Sequence, residues 1–82
     1  MIKWLHKAAE HGNTWAQYDL GDMFRTGQGM SKNLVRAHMW FTISSRGGLG
    51  AAARDKIAKK MTGEQLEHAG RLAKKWLAEH QR

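Results

Sequence analysis

The sequence predicts an all-α fold, a short solenoid of antiparallel helix pairs ended by a C-terminal helix. Three observations carry that prediction. Apolar residues recur at spacings of three and four and nowhere alternate at period two, so no sheet is expected. The breaks between those stretches are glycines, and the 82-residue chain contains no proline. Displacing the sequence on itself by 36 residues sets Trp4 on Trp40, Leu5 on Phe41, Ala8-Ala9 on Ser44-Ser45, Gly12 on Gly48, Ala16 on Ala52 and Asp19 on Asp55. A period of about 35 residues with two helices per unit is the signature of a helical solenoid.

Five helices follow in order. Residues 2–11 place Ile2, Leu5, Ala8 and Ala9 on one stripe. Gly12-Asn13 ends that helix and supplies Asn13 as the next N-cap. The second helix spans about Thr14 to Thr26, with Ala16, Leu20, Met23 and Phe24 inward, and Gly27-Gln28-Gly29 breaks it. A third starts after Asn33 and runs to about Arg46 on a stripe of Ala37, Trp40, Phe41 and Ser44, with Leu34 and Val35 at its start. Gly47-Gly48 stops it. The fourth, from about Gly50 to Lys60, is Ala-rich, with Ala52, Ala53, Ile57 and Met61 inward. Thr62-Gly63-Glu64-Gln65 is a capping box that opens the fifth, whose stripe is Leu66, Ala69, Ala73, Trp76, Leu77 and His80.

The spacing within the second and third helices resembles a known family. Ala16-x-x-x-Leu20-Gly21-x-x-Phe24-x-x-Gly27-x-Gly29-Met30, followed by Ala37-x-x-Trp40-x-x-x-Ser44-Ser45-x-x-Gly48, resembles one complete Sel-one-like repeat, a relative of the tetratricopeptide repeat. Trp4-x-x-x-Ala8-Ala9-x-x-Gly12 resembles the second helix of a preceding unit, and residues 49–60 the first helix of a following one. Met30 stands where Val is usual, Asn33 where Asp is usual and Ser44-Ser45 where Ala-Ala is usual; each keeps size or capping role. Lys56-Ile57 replaces the Leu-Gly of the pattern, so the last unit is degenerate. The expected division is therefore a second helix in 1–12, a complete repeat in 13–48, a degenerate first helix in 49–61 and a capping helix in 62–82. The resemblance implies right-handed stacking and a non-enzymatic module for protein–protein contacts, of a kind frequent in bacterial adaptors and signalling proteins. The physics of Gly21 agrees: a mid-helix glycine costs about 1 kcal/mol against alanine, tolerated where a neighbouring helix must come close.

Composition narrows the function further. The chain has no cysteine, so neither a disulfide framework nor a thiolate metal site is available. Fourteen Lys and Arg against seven Asp and Glu give a net charge of +7, which favours acidic partners. No apolar run approaches the roughly 18 residues of a membrane span, and the N-terminus lacks the apolar stretch of a signal peptide. The chain as given reads as cytoplasmic, an expectation that extends to a precursor only where no leader precedes it.

Three constellations invite chemistry and lose it on inspection. His6 with Glu10, and Glu64 with His68, are half-sites for a metal without further ligands nearby, and read as solvent-facing pairs. Ser44, Ser45 and His38 share a helix, but the serines occupy tight-packing positions, so no nucleophile is expected. Gly27-Gln28-Gly29 lacks the preceding strand and the Lys-Ser/Thr ending of a phosphate loop. No catalytic residue, cofactor or metal is expected.

Three surfaces remain as candidates. Trp15, Tyr18, Asp22 and Arg25 line one face of the second helix, distinct from its inward face. The resemblance places that face in the concave groove where partners bind, and Trp, Tyr and Arg are hot-spot residue types. Trp15 and Tyr18 packing on the first helix as core is the competing reading. The last two helices carry Lys56, Lys59, Lys60, Arg71, Lys74 and Lys75. That basic set reads as a solvated face, an acidic protein's partner or, as the alternative function, a nucleic-acid surface without a recognised motif. Finally Ile2, Trp4 and Leu5 form an apolar N-terminal end expected to pair with something: most cheaply a second copy, through a two-fold contact between first helices, with a partner protein or an upstream repeat as alternatives.

Overall fold

The computed structural model describes residues 2–80, Ile2 by its backbone alone. Those residues form five helices: α1 (Ile2–Glu10), α2 (Thr14–Thr26), α3 (Leu34–Ser45), α4 (Ala51–Ala58) and α5 (Gly63–His80). No strand occurs among the described residues.

The helix ends are fixed by the side chains the sequence nominates. Asn13 Oδ1 accepts from the Ala16 amide at 3.0 Å, and Asn33 Oδ1 from the Arg36 amide at 3.0 Å. Gly27 takes φ 80° and its N–H donates to the Met23 carbonyl at 2.7 Å, a left-handed turn that favours glycine. The Thr62 amide donates to Gln65 Oε1 at 2.9 Å and the Gln65 amide to Thr62 Oγ1 at 3.1 Å, so the capping box is closed from both sides.

α1 packs on α2, α2 on α3, and α3 on both α4 and α5. Gly47 abuts the Thr14 side chain, which puts the end of α3 beside the start of α2 and makes the pair antiparallel. One core cluster joins Ala9, Ala16, Leu20, Met39, Trp40, Ile43 and Ala73, from α1, α2, α3 and α5. A second joins Ala37, Phe41 and Ile57, with Tyr18, Phe24, Ala53 and Met61 against it. Helix α3 belongs to both, so it is buried on more than one side. That explains Met39 and Ile43, each 3 % exposed, which a single-stripe reading leaves out. Ala52, expected inward, is exposed, because α4 packs chiefly on α3 and does so through Ala53 and Ile57.

The closest approach is at Gly21. A Cβ there would lie 2.7 Å from Cδ1 and Cε1 of Phe41, so only glycine admits the ring. Gln17, buried in α2, donates from Nε2 to the Ala9 carbonyl at 3.0 Å and ties α2 to the end of α1. Ser44 is fully buried, with its Oγ 3.1 Å from the carbonyls of both Phe41 and Leu49.

Helix α5 lies against α3 and places Ala73 in the first core cluster. The Trp76 ring meets Trp40 edge-on at 5.5 Å, and His6 of α1 meets Trp40 edge-on at 6.3 Å. Trp4, Trp40 and Trp76 are spaced at equal 36-residue intervals, as are Leu5, Phe41 and Leu77, and Ala37 precedes Ala73 by the same step. Helix α5 thus carries the residue pattern of a repeat's second helix, and it packs on the second helix of the preceding unit.

Candidate functional groove

Helices α2 and α4 run in the same direction, each antiparallel to α3 between them. Their outward faces enclose a concavity of about 390 Å³. Tyr18, Asp22 and Arg25 form the α2 wall; Ala52, Ala53, Lys56 and Ile57 form the α4 wall, with Lys60 just beyond it. Lys32 and Leu34 close the end where α2 passes into α3.

The α2 wall follows from helix geometry. At 3.6 residues per turn, positions 15, 18, 22 and 25 fall within about 80° of one another, away from Ala16, Leu20 and Phe24. Three of the four face the groove directly. Tyr18 is half-buried, its ring 5.4 Å from Phe41, so it packs on α3 while its edge lines the groove. Asp22 Oδ1 accepts from Arg25 Nε at 3.0 Å and from the guanidinium's terminal nitrogen at 2.6 Å. Both side chains are more than 40 % exposed, so this pair adds little stability, but it holds the guanidinium at the groove rim. Trp15 lies on the same face one turn earlier and is 69 % exposed, so it is not core.

The groove contains four cations, Arg25, Lys32, Lys56 and Lys60, against one carboxylate, Asp22, which is already paired. Sequence reasoning did not single out Lys32 as a site residue; its place two residues before α3 brings it beside the end of α2. Of the six basic residues in the last two helices, Lys56 and Lys60 line this groove. Lys59 is exposed just after α4, and Lys74 and Lys75 are exposed on α5. Arg71, also on α5, lines a separate shallow surface with Glu64 and Glu67.

The histidines divide into several environments. His38 on α3 is partly buried, and burial chiefly lowers its pKa below the ordinary 6.5; nearby Arg54 lowers it further, while Asp55 opposes. His80 stacks on Trp76 at 4.0 Å, and its Nδ1–H donates to the Trp76 carbonyl at 2.8 Å. Among the described residues no three His, Asp or Glu side chains come together as metal ligands, and no helix is long and apolar enough to cross a membrane.

On α1, Trp4 is 67 % exposed above Lys3, His6, Lys7 and Glu10, whereas Leu5 turns inward against the first core cluster. The side chain of Ile2 lies outside the described residues.

Comparison with curated proteins gives no match, and comparison with solved structures gives none. The family model described as Sel1 repeat matches residues 2–13 and 16–49, more than half of the chain and the segments in which α1, α2 and α3 are built. With its all-helical architecture and glycine-mediated helix contacts in that register, the chain belongs to the Sel1 repeat family.

Proposed function

We propose that this chain is an interaction module that seats a protein partner in the groove between α2 and α4. Sel1 repeats in general mediate protein–protein contacts and are typically non-enzymatic. The observation that carries the groove reading is the convergence of Tyr18, Asp22 and Arg25 with Lys56 and Ile57 around one concavity. Both helices also pack on α3, α2 through Tyr18 against Phe41 and α4 through Ala53 and Ile57, so α3 backs the groove. Apolar floor and charged rim are the two components of an interface patch.

A photo-reactive phenylalanine analogue at position 25 tests this, with the same analogue at exposed His68 on α5 as control. Partner cross-links from position 25 and not from 68 support the groove. Arg25→Ala should weaken the captured partner by about 1–3 kcal/mol with the thermal transition unchanged. Wild-type affinity in both Arg25→Ala and Lys56→Ala overturns the assignment.

A second reading concerns α1. The exposure of Trp4 favours self-association through that helix, with Lys3 and Glu10 of two antiparallel copies as complementary charges. Light scattering at tens of micromolar tests it: a monomer of 9.3 kDa unchanged by Trp4→Glu removes this reading.

A further inference from the structure

The groove is not uniform along its length. At its α2 N-terminal end stands Trp15, 69 % exposed, on the same face as Tyr18 and Asp22. On α4 the groove is lined by Ala52, a single methyl, and the exposure of Trp15 leaves its ring open to a partner. At the other end Arg25, Lys32, Lys56 and Lys60 converge, with Asp22 neutralising one of them. Apolar and cationic regions are therefore separated along the helix axis. Ten residue steps along α2 separate Trp15 from Arg25, a distance of about 15 Å at 1.5 Å per residue.

Resting on the groove reading above, we propose that the partner is an extended acidic segment taken in a fixed order: carboxylates over the four cations, and one large apolar side chain over Trp15. Charge complementarity selects the acidic end. The spacing sets the rest: an extended chain covers about 15 Å in four to five residues. A helix needs about ten residues for the same 15 Å, so a segment of about seven residues bridges the two regions only when extended. Within about one Debye length the four cations act together, so association is fast at low salt and slows as salt rises.

The test uses the full chain and capped synthetic heptapeptides of one composition. In the split peptide, one Phe is separated from three Glu by Ser-Gly-Ser, and both chain directions are made. In the mixed peptide, the Phe stands among the three Glu. Affinity is read by fluorescence polarisation, and the seat by amide chemical-shift mapping in the same titration. One direction of the split peptide should bind at least about tenfold tighter than the mixed peptide. Lys56→Gln with Lys60→Gln should weaken both peptides by about tenfold or more. Trp15→Ala, at an exposed position, should abolish the difference between split and mixed peptides.

Equal affinities with shifts at Tyr18, Arg25 and Ala53 overturn the fixed order and leave the groove reading standing. Shifts confined to α1 or α5 overturn both. Absence of binding by any peptide up to about 1 mM overturns the acidic-segment proposal, and the cross-link from position 25 then decides the groove. A thymidine oligonucleotide that displaces the split peptide at tenfold lower concentration assigns the cations to phosphate and overturns the proposal as well.

Discussion

Gly21 and Phe41 set the tightest constraint at the scale of single residues. The ring occupies the space a Cβ would need, at 2.7 Å, and Phe41 itself is fully buried. Gly21→Ala therefore gains helix propensity and still loses stability, because neither the backbone of α2 nor a ring held between two helices yields easily. Gly21→Leu should prevent the native pairing of α2 with α3; thermal unfolding compared across the two variants checks the order. Trp40, 4 % exposed and in edge contact with His6 and Trp76, should cost about 3–5 kcal/mol on truncation to alanine. That is most of the stability expected of so small a domain, and a near-wild-type cooperative transition in Trp40→Ala would contradict the repeat register. His38 adds a pH dependence. Burial and Arg54 keep its folded pKa below 6.5, so as pH falls through 6.5 the unfolded chain takes up a proton that the folded chain refuses. Stability from this residue is complete above 6.5 and is lost as pH drops from there through the folded value. Melting temperatures between pH 7.5 and 5.5 should show a shallower fall in His38→Gln than in wild type.

Among the elements, those with local signals were legible and those defined by packing were less so. Asn13, Asn33 and the Thr62–Gln65 box announce three helix starts by chemistry that needs no tertiary context, and each makes the expected hydrogen bonds. Thr62→Ala should cost about 1 kcal/mol, read by chemical denaturation with an unchanged m-value. Helix α3 shows the opposite case. Periodicity detects one apolar stripe, whereas α3 packs on α2, α4 and α5 together and buries Met39 and Ile43 besides. The place of α5 was also written in the sequence, in the equal spacing of Trp4, Trp40 and Trp76, but only a comparison carried past the first two copies uncovers it. The groove was half legible. Helical spacing collects Tyr18, Asp22 and Arg25, yet nothing local in the sequence brings Lys32 to them, since that depends on how the chain turns from α2 into α3.

For the whole molecule, charge and shape act in different places. The net +7 is spread over many side chains, and four of the cations are gathered in the groove. Partner association should accordingly fall with ionic strength, and Lys56→Gln should lower the association rate more than it raises the dissociation rate, as stopped-flow mixing at low and physiological salt would show. Lys74→Gln on α5 should alter neither by comparable amounts.

The way α5 joins the rest has a kinetic consequence. Helices α1 to α4 each meet a neighbour in sequence, whereas α5 reaches back past α4 to α3. Contacts of short sequence separation form first, so α5 should dock last on folding and leave first in local opening, with its amides exchanging sooner than those of α3. Undocking uncovers Trp40, Met39 and Ile43, an apolar strip with a defined complement. A proteolytic nick after Lys59 or Lys60, in the exposed turn before α5, would leave that helix held by the α3 interface alone. An intramolecular element would then become a dissociable fragment, and its recapture by residues 1–60 would measure, as a binding constant, the interaction that closes the fold.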